Sequence, residues 1–217
     1  MIDYQAARTA MVDGQVRPSD VTLHPIIEAM LNVPREAYVP VEKRSVAYIG
    51  AHIDLEDGRV ILAPRILAKM LESLDIKSNE LVLDVGVGLG YSAAVISHLA
   101  EAVIAVEENA DMASAAETTL SEQSADNAVI YTGSLSDGAA EHSPYDVIVI
   151  EGGVQMLPES LLSQLKIGGR IAAIFIDGPS GQCRIGIRTD TGTSWNAVFD
   201  ATAPILSGFE IENTFSF

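Results

Sequence analysis

The residues of this chain best suited to hold a ligand lie in Leu81–Ala93, LVLDVGVGLGYSA. An apolar run carries a carboxylate, Asp84, near its end, and three glycines follow: Gly86, Gly88 and Gly90. A helical pattern begins near Tyr91. Glycines allow a sharp turn and close approach of backbone to ligand, and the N-terminus of the following helix favours anionic groups. A dinucleotide fingerprint spaces its glycines G-x-G-x-x-G and carries apolar residues where Asp84 stands. A carboxylate facing that crevice repels a pyrophosphate and attracts an ammonium group. The next apolar run, Ala102–Val106, leads into Glu107, placed to accept hydrogen bonds from both hydroxyls of a ribose.

An ammonium at one end and a ribose at the other describe S-adenosylmethionine better than NAD. The plainer readings are that Asp84 caps the glycine loop and that Glu107 is a solvated strand end, like its neighbour Glu108. No Cys/His/carboxylate group has the spacing of metal ligands. The histidines at 24, 52, 98 and 142 have no partner pattern; His52, the nearest to the loop before the glycines, reads as structural. The single cysteine, Cys183, reads as a packing residue.

The elements that must position these residues follow from periodicity. Leu81–Val85, Ala102–Val106, Ala128–Tyr131, Val147–Ile150 and Arg170–Ile176 read as strands. Their apolar runs are continuous, as in parallel strands buried on both faces. Tyr91–Leu99, Asp111–Gln123 and Glu159–Leu165 read as helices between them. Cys183–Arg188 and Trp195–Phe199 flank a turn-rich segment, so a hairpin ends the sheet. Before position 80 the chain is mostly helical, with Tyr4–Val16, Pro25–Leu31 and Ile66–Leu74 as helices. The expected fold is α/β: a Rossmann-like, seven-stranded, mostly parallel sheet with one antiparallel strand and helices on both faces. One domain is expected, with 1–78 as a helical extension and substrate loop and 79–217 as the cofactor-binding core.

A chain of 217 residues, 48% hydrophobic, is long enough for one substantial core. A formal charge of −17 with scattered Lys and Arg argues against a nucleic-acid partner. No apolar stretch reaches membrane-span length and the start lacks a signal-peptide pattern, so no membrane partner and a cytoplasmic location are expected.

The phrase AMLNVPREAYVP within Met11–Pro40, the glycine loop, and LKIGGRIAAI at Leu165–Ile174 together resemble the protein-L-isoaspartate O-methyltransferases, within the class I S-adenosylmethionine-dependent methyltransferases. The resemblance runs from about Met11 to Phe209. It implies methyl transfer from S-adenosylmethionine to an isoaspartyl carboxyl of a protein or peptide substrate, initiating repair of damaged residues. It also implies cofactor contacts from Asp84, Gly86, Gly88, Gly90, Glu107, Ser134 and Leu135. Val60, Leu62, Ala63, Arg65 and Glu151 become candidates for the substrate pocket.

Three motifs depart from the family pattern. Its loop G-x-T-I-S-x-P reads Gly58-Arg59-Val60-Ile61-Leu62-Ala63-Pro64 here, so Val60 and Leu62 fill the two hydroxyl slots. The aspartate expected at the adenine is Ser134, and the family's T-A-A-A region carries Glu151-Gly152-Gly153. A hydrogen bond to a charged group contributes roughly 1.5–3 kcal/mol, so loss of two donors bears directly on a carboxylate acceptor. Three readings follow: an isoaspartyl methyltransferase holding the carboxylate through Arg59 or Arg65, a methyltransferase for a less anionic acceptor with Glu151 or a histidine as base, and a cofactor-binding adaptor.

Overall fold

Proline is tolerated at the first turn of a helix because its missing N–H has no partner there to lose. Two helices of the N-terminal region start this way. In the computed structural model, which describes residues 2–211, the chain opens with α1 (Tyr4–Met11), α2 (His24–Asn32) and a short hairpin of β1 (Ile53–Asp54) and β2 (Val60–Ile61). Next come α3 (Pro64–Leu74), β3 (Leu81–Val85), α4 (Tyr91–Ser97), β4 (Ala102–Glu107), α5 (Ala110–Glu122) and β5 (Ala128–Thr132). The remaining elements are β6 (Tyr145–Val154), α6 (Glu159–Leu162), β7 (Leu165–Asp177), β8 (Ser180–Thr189) and β9 (Gly192–Asp200).

The sheet is seven-stranded in the order β5-β4-β3-β6-β7-β8-β9. Strands β3 to β7 pair in parallel, and β8 pairs antiparallel with β7 on one side and β9 on the other. A single strand, β8, therefore runs against the rest, as the hairpin signal implied. Alternate residues feed two cores. Val82, Val103, Val147, Val149 and Ile174 pack with α3, α4 and the N-terminal helices. Leu83, Val85, Ile104, Ile148 and Ile150 pack with Leu135, Leu161, Leu206 and Phe209. The two faces are covered unequally: α6 on the second face is a single turn, and irregular chain supplies most of that cover.

The first core is continuous from Met11 and Met30 through Leu67 and Met70 to the sheet residues. Residues before position 80 thus share a core with the α/β body. The expected helix Tyr4–Val16 stays helical but changes type at Met11. Val12–Val16 forms a wider π-turn, and this keeps Met11, Val12 and Val16 buried together.

Candidate cofactor site at the strand ends

Strand β3 delivers Asp84 to the carboxyl edge of the sheet, and the chain then turns through Gly86, Gly88 and Gly90, all at positive φ. Gly88 is required twice over: φ is +55°, and a Cβ there would lie 2.7 Å from Leu55 Cδ1. Leu55 belongs to the tip of the β1–β2 hairpin, where Leu55 N–H donates to the Arg59 carbonyl at 2.7 Å. Asp57 and Gly58 turn that tip with left-handed backbone. A stretch read from sequence as a loop is therefore a hairpin docked on the glycine turn.

Docking carries Arg59 into the strand-end cleft. Its Nη1 and Nη2 donate to Oε1 and Oε2 of Glu107 at 2.9 and 3.0 Å. The Gly88 N–H donates to Oε2 at 2.7 Å and the Asn109 N–H to Oε1 at 3.0 Å. Glu107 is wholly buried and Arg59 is 6% exposed. Asn109 also caps α5, its side-chain oxygen accepting from the Asp111 and Met112 N–H groups.

Asp84 is different. It is wholly buried, and among the described residues neither carboxylate oxygen has a well-formed hydrogen-bond partner. Burial pushes its carboxyl up to about 7, with the Ser92 hydroxyl on the first turn of α4 pulling the other way. Glu151 on β6 is also buried, with Oε1 unpartnered among the described residues. Burial, and then the charge of Asp84, raise its carboxyl well above the usual range, while Arg35 and Arg59 offset part of that rise.

The other expected residues are placed as follows. Val60, Leu62 and Ala63 are buried in the first core, while Arg65 on the first turn of α3 is exposed. Arg65 lines a cavity with His52, Ser180, Asp200 and Thr202, and among the described residues it forms no ion pair. His52 is structural: Nδ1 accepts from the Ala63 N–H at 3.0 Å, and Nε2 donates to the Thr202 carbonyl at 2.8 Å. Ser134 is exposed, with its Oγ 3.1 Å from that of Ser136, and Leu135 is buried in the second core. Cys183 is buried, and burial pushes its thiol up to about 12, in keeping with packing.

Two contributors went unread in the sequence. Arg35 is fully buried, donating to the Ala47 and Leu62 carbonyls at 2.8 Å each, with its guanidinium 4.4 Å from the Tyr91 ring centroid. An arginine within an apolar phrase, Val33-Pro34-Arg35, was the available signal. Leu206 left no such signal. The chain after β9 returns along the carboxyl end of β6, with Leu206 N–H donating to the Gly153 carbonyl at 2.9 Å. Its side chain lies over the turn: a Cβ on Gly86 would be 3.1 Å, and one on Gly152 2.6 Å, from Leu206 methyl carbons.

A glycine turn after the first of several parallel strands, with carboxylates at two adjacent strand ends, defines a Rossmann-like nucleotide-cofactor fold. The chain belongs to the protein-L-isoaspartate(D-aspartate) O-methyltransferase family, whose profile matches residues 7–182. It is 40% identical over 146 residues to protein-L-isoaspartate O-methyltransferase 1 of Geotalea uraniireducens, covering 67% of each chain. It is 35% identical over 164 residues to protein-L-isoaspartate O-methyltransferase 2 of Pelobacter propionicus, covering 76% of this chain and 73% of that one. The fold matches a solved putative protein-L-isoaspartate O-methyltransferase of Plasmodium falciparum in complex with S-adenosyl-L-homocysteine. That match has a TM-score of 0.78 and 19% identity, and covers 95% of this chain and 99% of the other.

Proposed function

We propose that this chain is an S-adenosylmethionine-dependent methyltransferase acting on a carboxyl group of a protein or peptide, of the isoaspartyl type. The observation that carries the reading is Asp84, whose two buried oxygens lack well-formed partners among the described residues beside the glycine turn. An unpaired buried carboxylate is costly, and an ammonium group is the partner its chemistry fits. Asp84 would hold the amino end of the cofactor and Glu107 the ribose, with the backbone of Gly86–Gly90 allowing close approach. The bound cofactor supplies an electrophilic methyl group.

A carboxylate acceptor needs no deprotonation at neutral pH, so the chain's task is to place it in line and exclude water. Val60 and Leu62 cannot donate to it. Arg65 takes that role in this reading, as the exposed cation beside the Ala63-Pro64 turn. Burial and the charge of Asp84 push the Glu151 carboxyl towards its neutral form, which lessens its repulsion of an acceptor carboxylate. Residues 1–78 and 79–217 are read as one domain, working in the cytoplasm.

Transfer of a labelled methyl group from S-adenosylmethionine to an isoaspartyl peptide tests the reading. Incorporation that disappears with the normal aspartyl peptide supports it. No incorporation, together with no calorimetric binding of S-adenosylhomocysteine to any form of the protein, refutes it.

A further inference from the structure

A carboxylate offers about four acceptor positions on its two oxygens. In Glu107 all of them are taken: Arg59 Nη1 and Asn109 N–H on Oε1, Arg59 Nη2 and Gly88 N–H on Oε2. A ribose diol binds such a residue by donating both hydroxyls to it. With Arg59 in place there is no acceptor left for them.

Space is closed as well as chemistry. Arg59 Nη2 lies 3.1 Å from where a Cβ of Gly86 would stand, so the guanidinium covers the first glycine of the turn. Leu206 crowds the same point, its Cδ1 also 3.1 Å from it, and covers Gly152 as well. The segment carrying Leu206 is fixed by backbone bonds: Gly153 N–H donates to the Pro204 carbonyl at 2.8 Å, and Gln155 N–H to the Phe209 carbonyl at 2.9 Å. Phe209 is itself fully buried. Arg59 is held from behind, since its own N–H donates to the Glu56 carbonyl at 3.0 Å in the hairpin tip.

The contrast with Asp84 localises the effect. Among the described residues the carboxylate at the end of β3 is without a well-formed partner, while the one at the end of β4 is saturated by Arg59 together with two backbone N–H groups. One half of the cleft is left ready for a cationic group and the other half is filled.

We infer that the chain fills its own nucleoside subsite. The Arg59 guanidinium occupies the acceptors of Glu107 that a cofactor ribose requires, so nucleoside binding proceeds only by displacing Arg59. This rests on the cofactor reading above and deepens it, because it makes residue 59 the determinant of cofactor affinity. Displacement exchanges a buried, bidentate, charge-assisted pair for two neutral hydroxyl bonds, an unfavourable exchange.

The test is calorimetric titration of S-adenosylhomocysteine into wild type, Arg59→Gln and Arg59→Lys, with circular dichroism to establish that each is folded. Glutamine removes the charge and the fork. Lysine keeps the charge and the apolar stem but cannot engage both oxygens in parallel. We expect Arg59→Gln to bind at least tenfold more tightly than wild type, and Arg59→Lys at least threefold. If Arg59→Gln does not fold, the lysine variant decides. Wild type binding as tightly as the folded variants overturns the inference and leaves the cofactor reading standing. Folded variants that bind no better than a wild type without detectable affinity overturn both.

Discussion

The carbonyl of Leu62 accepts a hydrogen bond of 2.8 Å from Nη2 of Arg35, and both side chains are buried. Arg35 Nε binds the Ala47 carbonyl at the same distance, so one side chain joins two segments that approach the strand ends. Burial pulls its guanidinium below the ordinary value, and the nearby Tyr91 works against that fall. Arg35→Met keeps much of the volume but leaves two buried carbonyls without donors. We expect it to destabilise the fold by about 2–4 kcal/mol in chemical denaturation. A loss under about 0.5 kcal/mol would show that water satisfies those carbonyls.

Leu62 itself is packed in the first core. Leu62→Ser, the change that restores a family hydroxyl, removes most of a buried side chain and introduces a polar group. It should cost about 2–4 kcal/mol of stability, while the near-isosteric Val60→Thr should cost about 1–2 kcal/mol. Equilibrium urea unfolding of both variants measures this directly.

Asp84 gives the chain a characteristic dependence on pH. Its folded carboxyl titrates near 7 and its unfolded one near the ordinary aspartate value, so between roughly pH 4 and 7 the folded state holds the extra proton. The stability from this group is complete below about pH 4 and is lost as pH rises through its folded value. Asp84→Asn removes that loss. Calorimetric scans at pH 5 and pH 8 should show the variant losing less Tm than wild type across the interval, by on the order of 5 °C. Parallel curves would place the titration elsewhere.

Gly88 should accept a side chain only at a cost. Alanine there meets a left-handed backbone and the methyl of Leu55 at once. Gly88→Ala should cost about 1–3 kcal/mol and loosen the β1–β2 hairpin, visible as faster amide exchange at Leu55 and Arg59.

Arg65 separates the acceptor readings. If it holds a substrate carboxylate, Arg65→Ala raises KM for an isoaspartyl peptide about tenfold and changes kcat little. An unchanged KM returns Arg65 to the solvated surface.

The backbone of this protein was largely legible from local pattern. Continuous apolar runs announced β3, β4 and β6 because strands buried on both faces have no polar side to display. Positive φ at Gly86, Gly88 and Gly90 was foreshadowed by residue type. Where the pattern misled, distant packing had intervened. Val60 and Leu62 sit in the core because β2 pairs with β1 and Arg35 holds the Leu62 carbonyl. Neither constraint is written in the loop's own residues.

What the sequence by itself determined is the sheet, its glycine turn and the position of Asp84 and Glu107 at adjacent strand ends. Strand propensity and backbone freedom act over a few residues, and a reader can sum them. What only the tertiary structure decided is which groups meet those carboxylates. Glu107 is met by Arg59, 48 positions earlier in the chain, and Gly86 by Leu206 from beyond the last strand. Asp84 gains no such partner among the described residues. Charge pairing at that range depends on how the hairpin and the returning C-terminal segment pack, and packing is a property of the whole chain.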